Sequence, residues 1–99
     1  MNQALDYKAP PLKDGPGEGF SVEVIVPTSK GFIIGGTNAT LHIYEKSENE
    51  KKNYIFSRER TILYKESIAS IMSMCIDEDN ILFGLADGSL LKTPFLTEK

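Results

Sequence analysis

Tryptophan is absent from the chain, and histidine and cysteine occur once each. The residues from which most catalytic and metal centres are built are therefore scarce. A single cysteine excludes a disulfide within the chain and favours a reducing compartment. Cys75 lies in the apolar run Ile71-Met72-Ser73-Met74-Cys75-Ile76 with no histidine or cluster of bases beside it, so it reads as a buried, unreactive thiol. No apolar stretch approaches the roughly 20 residues that span a bilayer. The start, Met1-Asn2-Gln3-Ala4-Leu5-Asp6, has neither the basic nor the apolar region of a secretory signal. These absences predict an intracellular protein without a membrane partner. Positive charge is also in deficit, 11 basic against 14 acidic residues for a net charge of -3, which offers nothing to a phosphate backbone. Nucleic acid is not an expected partner.

The same scarcity empties the list of chemical motifs. A nucleophilic triad would need His42, yet no Gly-x-Ser-x-Gly elbow occurs, and an isolated histidine lacks the converging partners of a metal or acid–base site. His42 reads instead as a strand histidine on the face opposite Leu41 and Ile43. Gly15-Pro16-Gly17-Glu18-Gly19 has the wrong glycine spacing, and no strand before or helix after it, for a nucleotide loop. Asn38-Ala39-Thr40 matches a glycosylation acceptor but reads as a turn in a chain with no secretory signal. Asp77-Glu78-Asp79-Asn80 reads as a polar turn, because Ile81 and Phe83 stand where calcium ligands would be needed. Arg58, Glu59, Arg60 and Lys65 read as solvated edge charges. No catalytic residue, metal ligand or cofactor is expected, and the chain is not expected to be an enzyme.

What is present is β-sheet chemistry. Hydrophobic residues make up 40% of the 99 and charged residues 25%, the proportions of a folded globular chain at the small end of the domain range. Short β-branched runs separated by turn residues predict strands near 20–27, 31–36, 40–45, 53–64, 69–76, 80–85 and 89–95. Residues 62–74 can also be read as helical. Residues 1–19, rich in proline, glycine and charge, predict an extended arm or linker. The mixed-charge stretch Glu45-Lys46-Ser47-Glu48-Asn49-Glu50-Lys51-Lys52 predicts a solvated loop.

An internal repeat organises these strands. Phe32-Ile33-Ile34-Gly35-Gly36-Thr37-Asn38-Ala39-Thr40-Leu41 aligns with Ile81-Leu82-Phe83-Gly84-Leu85-Ala86-Asp87-Gly88-Ser89-Leu90, and Gly35 on Gly84 sets an offset of 49 residues. Val22, Val24 and Val26 then fall on Ile71, Ser73 and Cys75. Each copy reads strand, turn, strand, turn, strand. Glycine permits close approach along the middle strand, and Asn38-Ala39 or Asp87-Gly88 closes the tight turn.

Residues 32–45 resemble the WD-repeat signature: Asn38 stands for its Asp, Ala39 for its Gly, Tyr44 for its Trp and Glu45 for its final Asp. The second copy keeps Asp87-Gly88-Ser89-Leu90 and has Thr93-Pro94 where the terminal pair would be. More narrowly, Pro27-Thr28-Ser29-Lys30-Gly31-Phe32, the strand from Leu41 to Lys46 and the strand from Tyr54 to Arg60 are similar to a blade of the cilia- and flagella-associated WD-repeat proteins.

The resemblance implies an all-β partial propeller of about one and a half four-stranded antiparallel blades, with a first blade at 20–66 and part of a second at 67–99. It implies a non-catalytic scaffold whose partners are other protein chains: the remaining blades, and axonemal components such as dynein-arm or doublet-microtubule proteins. The alternative is a small self-associating β domain that binds a peptide or ligand by strand addition at an open edge. Fewer than two blades cannot close a ring, so a truncated or docking piece of a larger propeller is expected.

Overall fold

The computed structural model describes residues 12, 14–48 and 54–95. Seven strands form: β1 Val22–Pro27, β2 Gly31–Gly36, β3 Thr40–Glu48, β4 Tyr54–Leu63, β5 Ile71–Asp77, β6 Asn80–Leu85 and β7 Leu90–Pro94. Two antiparallel sheets result, a four-stranded meander β1-β2-β3-β4 and a three-stranded meander β5-β6-β7. The all-β class is as the sequence predicts, and the two meanders have the layout of a partial propeller-like fold, one full blade and part of a second. Residues 62–74 contain no helix: β4 runs to Leu63, and a turn and an irregular segment lead into β5 at Ile71.

The repeat holds residue by residue. Val22 pairs with Gly36 and Val24 with Gly35, while 49 positions on Ile71 pairs with Leu85 and Ser73 with Gly84. Both first strands carry their irregularity at the same place, between Val22 and Val24 and between Ile71 and Ser73. In the second hairpin Gly35 faces Leu41 and Ile34 faces His42, matched by Gly84 with Leu90 and Phe83 with Leu91. Loop hydrogen bonds recur as well. The Thr37 N–H donates to the Ser21 carbonyl at 3.3 Å and Ala86 to Ser70 at 2.9 Å; Lys46 donates to Lys30 at 2.9 Å and Phe95 to Asp79 at 2.6 Å.

The turn after β2 is made differently in the two copies. Asn38 and Ala39 adopt φ of 59° and 52°, left-handed values that cost a non-glycine residue about 1 kcal/mol each, whereas the second copy places Gly88 at φ 95°. Asp87 stabilises its own version by accepting the Ser89 N–H at 2.9 Å. That backbone donor is the first cause holding the Asp87 carboxyl below its ordinary range.

The core lies between the sheets. Ile33, Ala39, Leu41 and Ile43 of the first unit pack with Ile71, Ile81, Phe83 and Leu85 of the second. Gly35 makes this approach possible, since a β-carbon there would sit 2.9 Å from Cγ2 of Ile71. The packing is head to tail. On the first sheet the buried face carries Ile33, Leu41 and Ile43, whose repeat counterparts Leu82, Leu90 and Lys92 point away from the core on the second. On the second sheet the core face carries Ile81 and Phe83, the counterparts of Phe32 and Ile34. Equivalent residues thus serve opposite faces, as in a stack that repeats by translation or rotation, not in a two-fold sandwich.

Two expectations are corrected. Cys75 is exposed, because β5 turns Met74 and Ile76 toward the core and Cys75 to the other side. The charged stretch from Glu45 is not all loop: β3 continues to Glu48, in register with Ser57 to Tyr54 of β4. A backbone ladder is made by N–H and C=O groups, so a strand can continue through residues with no apolar side chain. Residues 49–53, the rest of the expected loop, and residues 1–11 and 13 of the expected arm lie outside the described residues.

Candidate interaction surface on the first sheet

The face of β1–β4 turned away from the core is the most distinctive surface of the molecule. It carries Val22, Ile25, Phe32, Ile34, His42, Tyr44 and Arg58 in adjacent strands. Alternation along β2 and β3 puts them there: Ile33 and Ile43 point inward, so Phe32, Ile34, His42 and Tyr44 point out. Aromatic rings dominate its centre. Phe32 stacks on Tyr44 with centroids 4.9 Å apart and meets Phe56 edge-on at 5.0 Å, while Phe20 stands edge-on to His42 at 4.8 Å.

A short stretch of the N-terminal arm is pinned across this face. The Tyr44 hydroxyl donates to the Asp14 carbonyl at 2.8 Å, and the Asp14 carboxylate accepts from the Arg58 backbone N–H at 2.8 Å and from its guanidinium at 3.3 Å. One aspartate thus ties the arm to β3 and β4. Between arm and sheet is a largely apolar cavity of about 570 Å³ bounded by Leu12, Pro16, Val22, Ile25, Phe32 and Ile34 among others. Val22 and Ile25 on its rim are 43% and 61% exposed.

His42 sits beneath Phe20 with 8% of its surface exposed, and its Nδ1 lies 3.1 Å from the Thr61 hydroxyl. Burial lowers its pKa, the nearby Arg58 charge lowers it further, and Asp14 opposes both. Burial likewise raises the Tyr44 hydroxyl. The histidine is where the strand pattern places it, opposite Leu41 and Ile43. Its contacts are structural: a hydroxyl and an aromatic edge.

The remaining motif residues fall where turns and edges were expected. Asp77 and Asn80 close the β5–β6 hairpin, with Glu78 at φ 57°. Gly15, Pro16 and Gly17 form part of the pinned arm with no helix following them. Among Arg58, Glu59, Arg60 and Lys65, the reading as solvated edge charges misses the role of Arg58, which holds Asp14. No group of three or more His, Cys, Asp or Glu side chains able to hold a metal occurs among the described residues. Among the same residues no helix is long and apolar enough to cross a membrane.

Fold and surface together define an all-β protein of two similar antiparallel meanders packed head to tail, with a stretch of the N-terminal arm pinned across the aromatic outer face of the first. No model of a known protein family matches the chain. It is similar to Cilia- and flagella-associated protein 57 A of Tetrahymena thermophila, 32% identical over 83 residues. The aligned stretch takes in 82% of this chain and 6% of that protein, so the chain spans a small part of its relative's length.

Proposed function

We propose that the chain is a non-catalytic interaction module, about one and a half WD-type propeller blades, that works within a ciliary or flagellar assembly. The observation that carries this reading is the similarity to a cilia- and flagella-associated protein across 82% of the chain. The geometry supports the rest. Two sheets in strict 49-residue register are what successive blades of a repeat array provide. The partners are accordingly other protein chains: neighbouring blades first, and axonemal proteins such as those of dynein arms or doublet microtubules. The one histidine is enclosed by Phe20 and Thr61, which supports a binding role over a chemical one.

A fluorescent fusion of the chain expressed in a ciliated cell tests the proposal. The expected result is retention in the axoneme after detergent extraction, lost when the exposed Val22 and Ile25 are replaced by aspartate. A fusion confined to the cell body, or one whose axonemal retention ignores those substitutions, contradicts it.

A further inference from the structure

From the way the chain holds its own arm we infer that the outer face of the first sheet is a peptide-recognition site, occupied in cis by the stretch around Asp14 and open in trans to a short segment of another protein in which an aspartate is followed by an apolar residue. The inference rests on reading this face as a protein-binding surface and names what it binds.

The contacts to Asp14 supply the template. Its carbonyl accepts from the Tyr44 hydroxyl, and its carboxylate accepts from both the backbone N–H and the guanidinium of Arg58, so the backbone position and the charge of one residue are read together. The sheet sets these donors, not the arm: Tyr44 is fully buried and stacked on Phe32, and Arg58 is its partner across β3 and β4. An aspartate of another chain laid along the face in the same way meets the same three donors. Beside this polar anchor the arm fits poorly. Leu12, Gly15, Pro16 and Gly17 border the cavity of about 570 Å³ without filling it, and Leu12 remains 45% exposed. The arm therefore satisfies the polar half of the site and leaves the apolar half to a bulkier segment. Gly15 marks where bulk is missing. A β-carbon there would meet, among the described residues beyond its chain neighbours, only the Leu12 carbonyl oxygen at 3.5 Å, an ordinary contact.

The arm is also built to give way. Gly17 and Gly19 adopt φ of 91° and 85° with open space where a β-carbon would stand, between the Asp14 anchor and Ser21, whose N–H donates to the Thr37 hydroxyl at 2.7 Å. The arm swings on these glycines once Asp14, itself partly exposed, lets go. Because the tethered arm competes at high effective concentration, a segment supplied in trans binds weakly until that anchor is loosened.

Titration of the full chain with a capped peptide of the arm's own sequence, Leu12 to Phe20, followed by amide nuclear magnetic resonance, tests this. The wild type is expected to bind the peptide weakly and the Asp14→Ala chain about fivefold more tightly, with the Arg58 amide protected from exchange again at saturation. Circular dichroism verifies that the variant keeps its sheets. Against that variant a Gly15→Leu peptide is expected to bind about tenfold more tightly than the parent peptide, and an Asp14→Asn peptide about tenfold more weakly. Failure of the Asp14→Ala chain to bind either the parent or the Gly15→Leu peptide at millimolar concentration overturns the inference, as does binding that ignores the Asp14→Asn change or leaves the Arg58 amide unprotected. A wild type that dimerises by exchanging arms would make a second copy the occupant and would also overturn it. Peptide affinity is measured apart from axonemal retention, so either reading can fail without the other.

Discussion

Gly35 and Gly84 occupy the same position of the repeat, and replacing each by alanine should have opposite consequences. At Gly35 the new methyl would lie 2.9 Å from Cγ2 and 3.3 Å from Cβ of Ile71, and 3.3 Å from Cδ2 of Leu41. Carbon atoms pack best at about 3.5–4.0 Å, so the sheets must part by several tenths of an ångström or Ile71 must leave its rotamer. Ile71 is fully buried and β-branched, with little freedom to turn. The overpacking should cost about 1–3 kcal/mol, lowering the melting temperature by about 4–8 °C per kcal/mol in a domain of this size. At Gly84 the close neighbour is the Ser73 hydroxyl at 2.9 Å, on an exposed residue that can rotate away. Loss of unfolded-state freedom then makes Gly84→Ala neutral or stabilising by up to about 1 kcal/mol. Urea titrations at low protein concentration read both values. Equal effects from the two substitutions, within about 0.5 kcal/mol, would refute the assignment of opposite faces to equivalent residues.

Three further outcomes follow from the outer faces of the two sheets. Asp14→Ala should free the arm at a cost of about 1 kcal/mol, since the pair is partly exposed, and speed amide exchange at Arg58; unchanged exchange there would mean the arm is held by other contacts. Because His42 titrates below its ordinary value of 6.5 in the fold, its contribution is whole above that pH and is lost as pH falls from there through the lowered folded value. His42→Gln should flatten this acid-side slope in urea titrations, and an unaltered slope would show another group to be responsible. Cys75, exposed on the outer face of β5, should react with a thiol reagent at full stoichiometry in the native protein; slow reaction in the native protein would place it in a core.

Much of this architecture is legible in the amino-acid sequence because the repeat is local and periodic. Gly35 and Gly84, with their flanking apolar residues, set the offset that the strand register then obeys, down to the irregularity in the first strand of each copy. What stays hidden has physical reasons. The run Ile71-Met72-Ser73-Met74-Cys75-Ile76 is apolar at five of six positions, and the irregularity between Ile71 and Ser73 breaks its phase, so nothing in it reveals that Cys75 faces outward. The Asp14 clamp joins residues 44 apart through a backbone amide, a partner that no side-chain motif encodes. The polar end of β3 is hidden because backbone pairing to β4, not side-chain apolarity, extends it. Alternation places His42 on its face, but its enclosure by Phe20 depends on the path of the chain before β1.

Nuclear Overhauser effects from methyl protons to methyl and aromatic protons in solution test the head-to-tail stack most directly. The account expects cross-peaks joining Leu41 and Ile33 to Ile71 and Phe83, recorded at a concentration where the chain is monomeric. Cross-peaks from Ile71 or Phe83 to Ile34 and Phe32 in that monomer would contradict it, because they would bring the wrong face of the first sheet against the second.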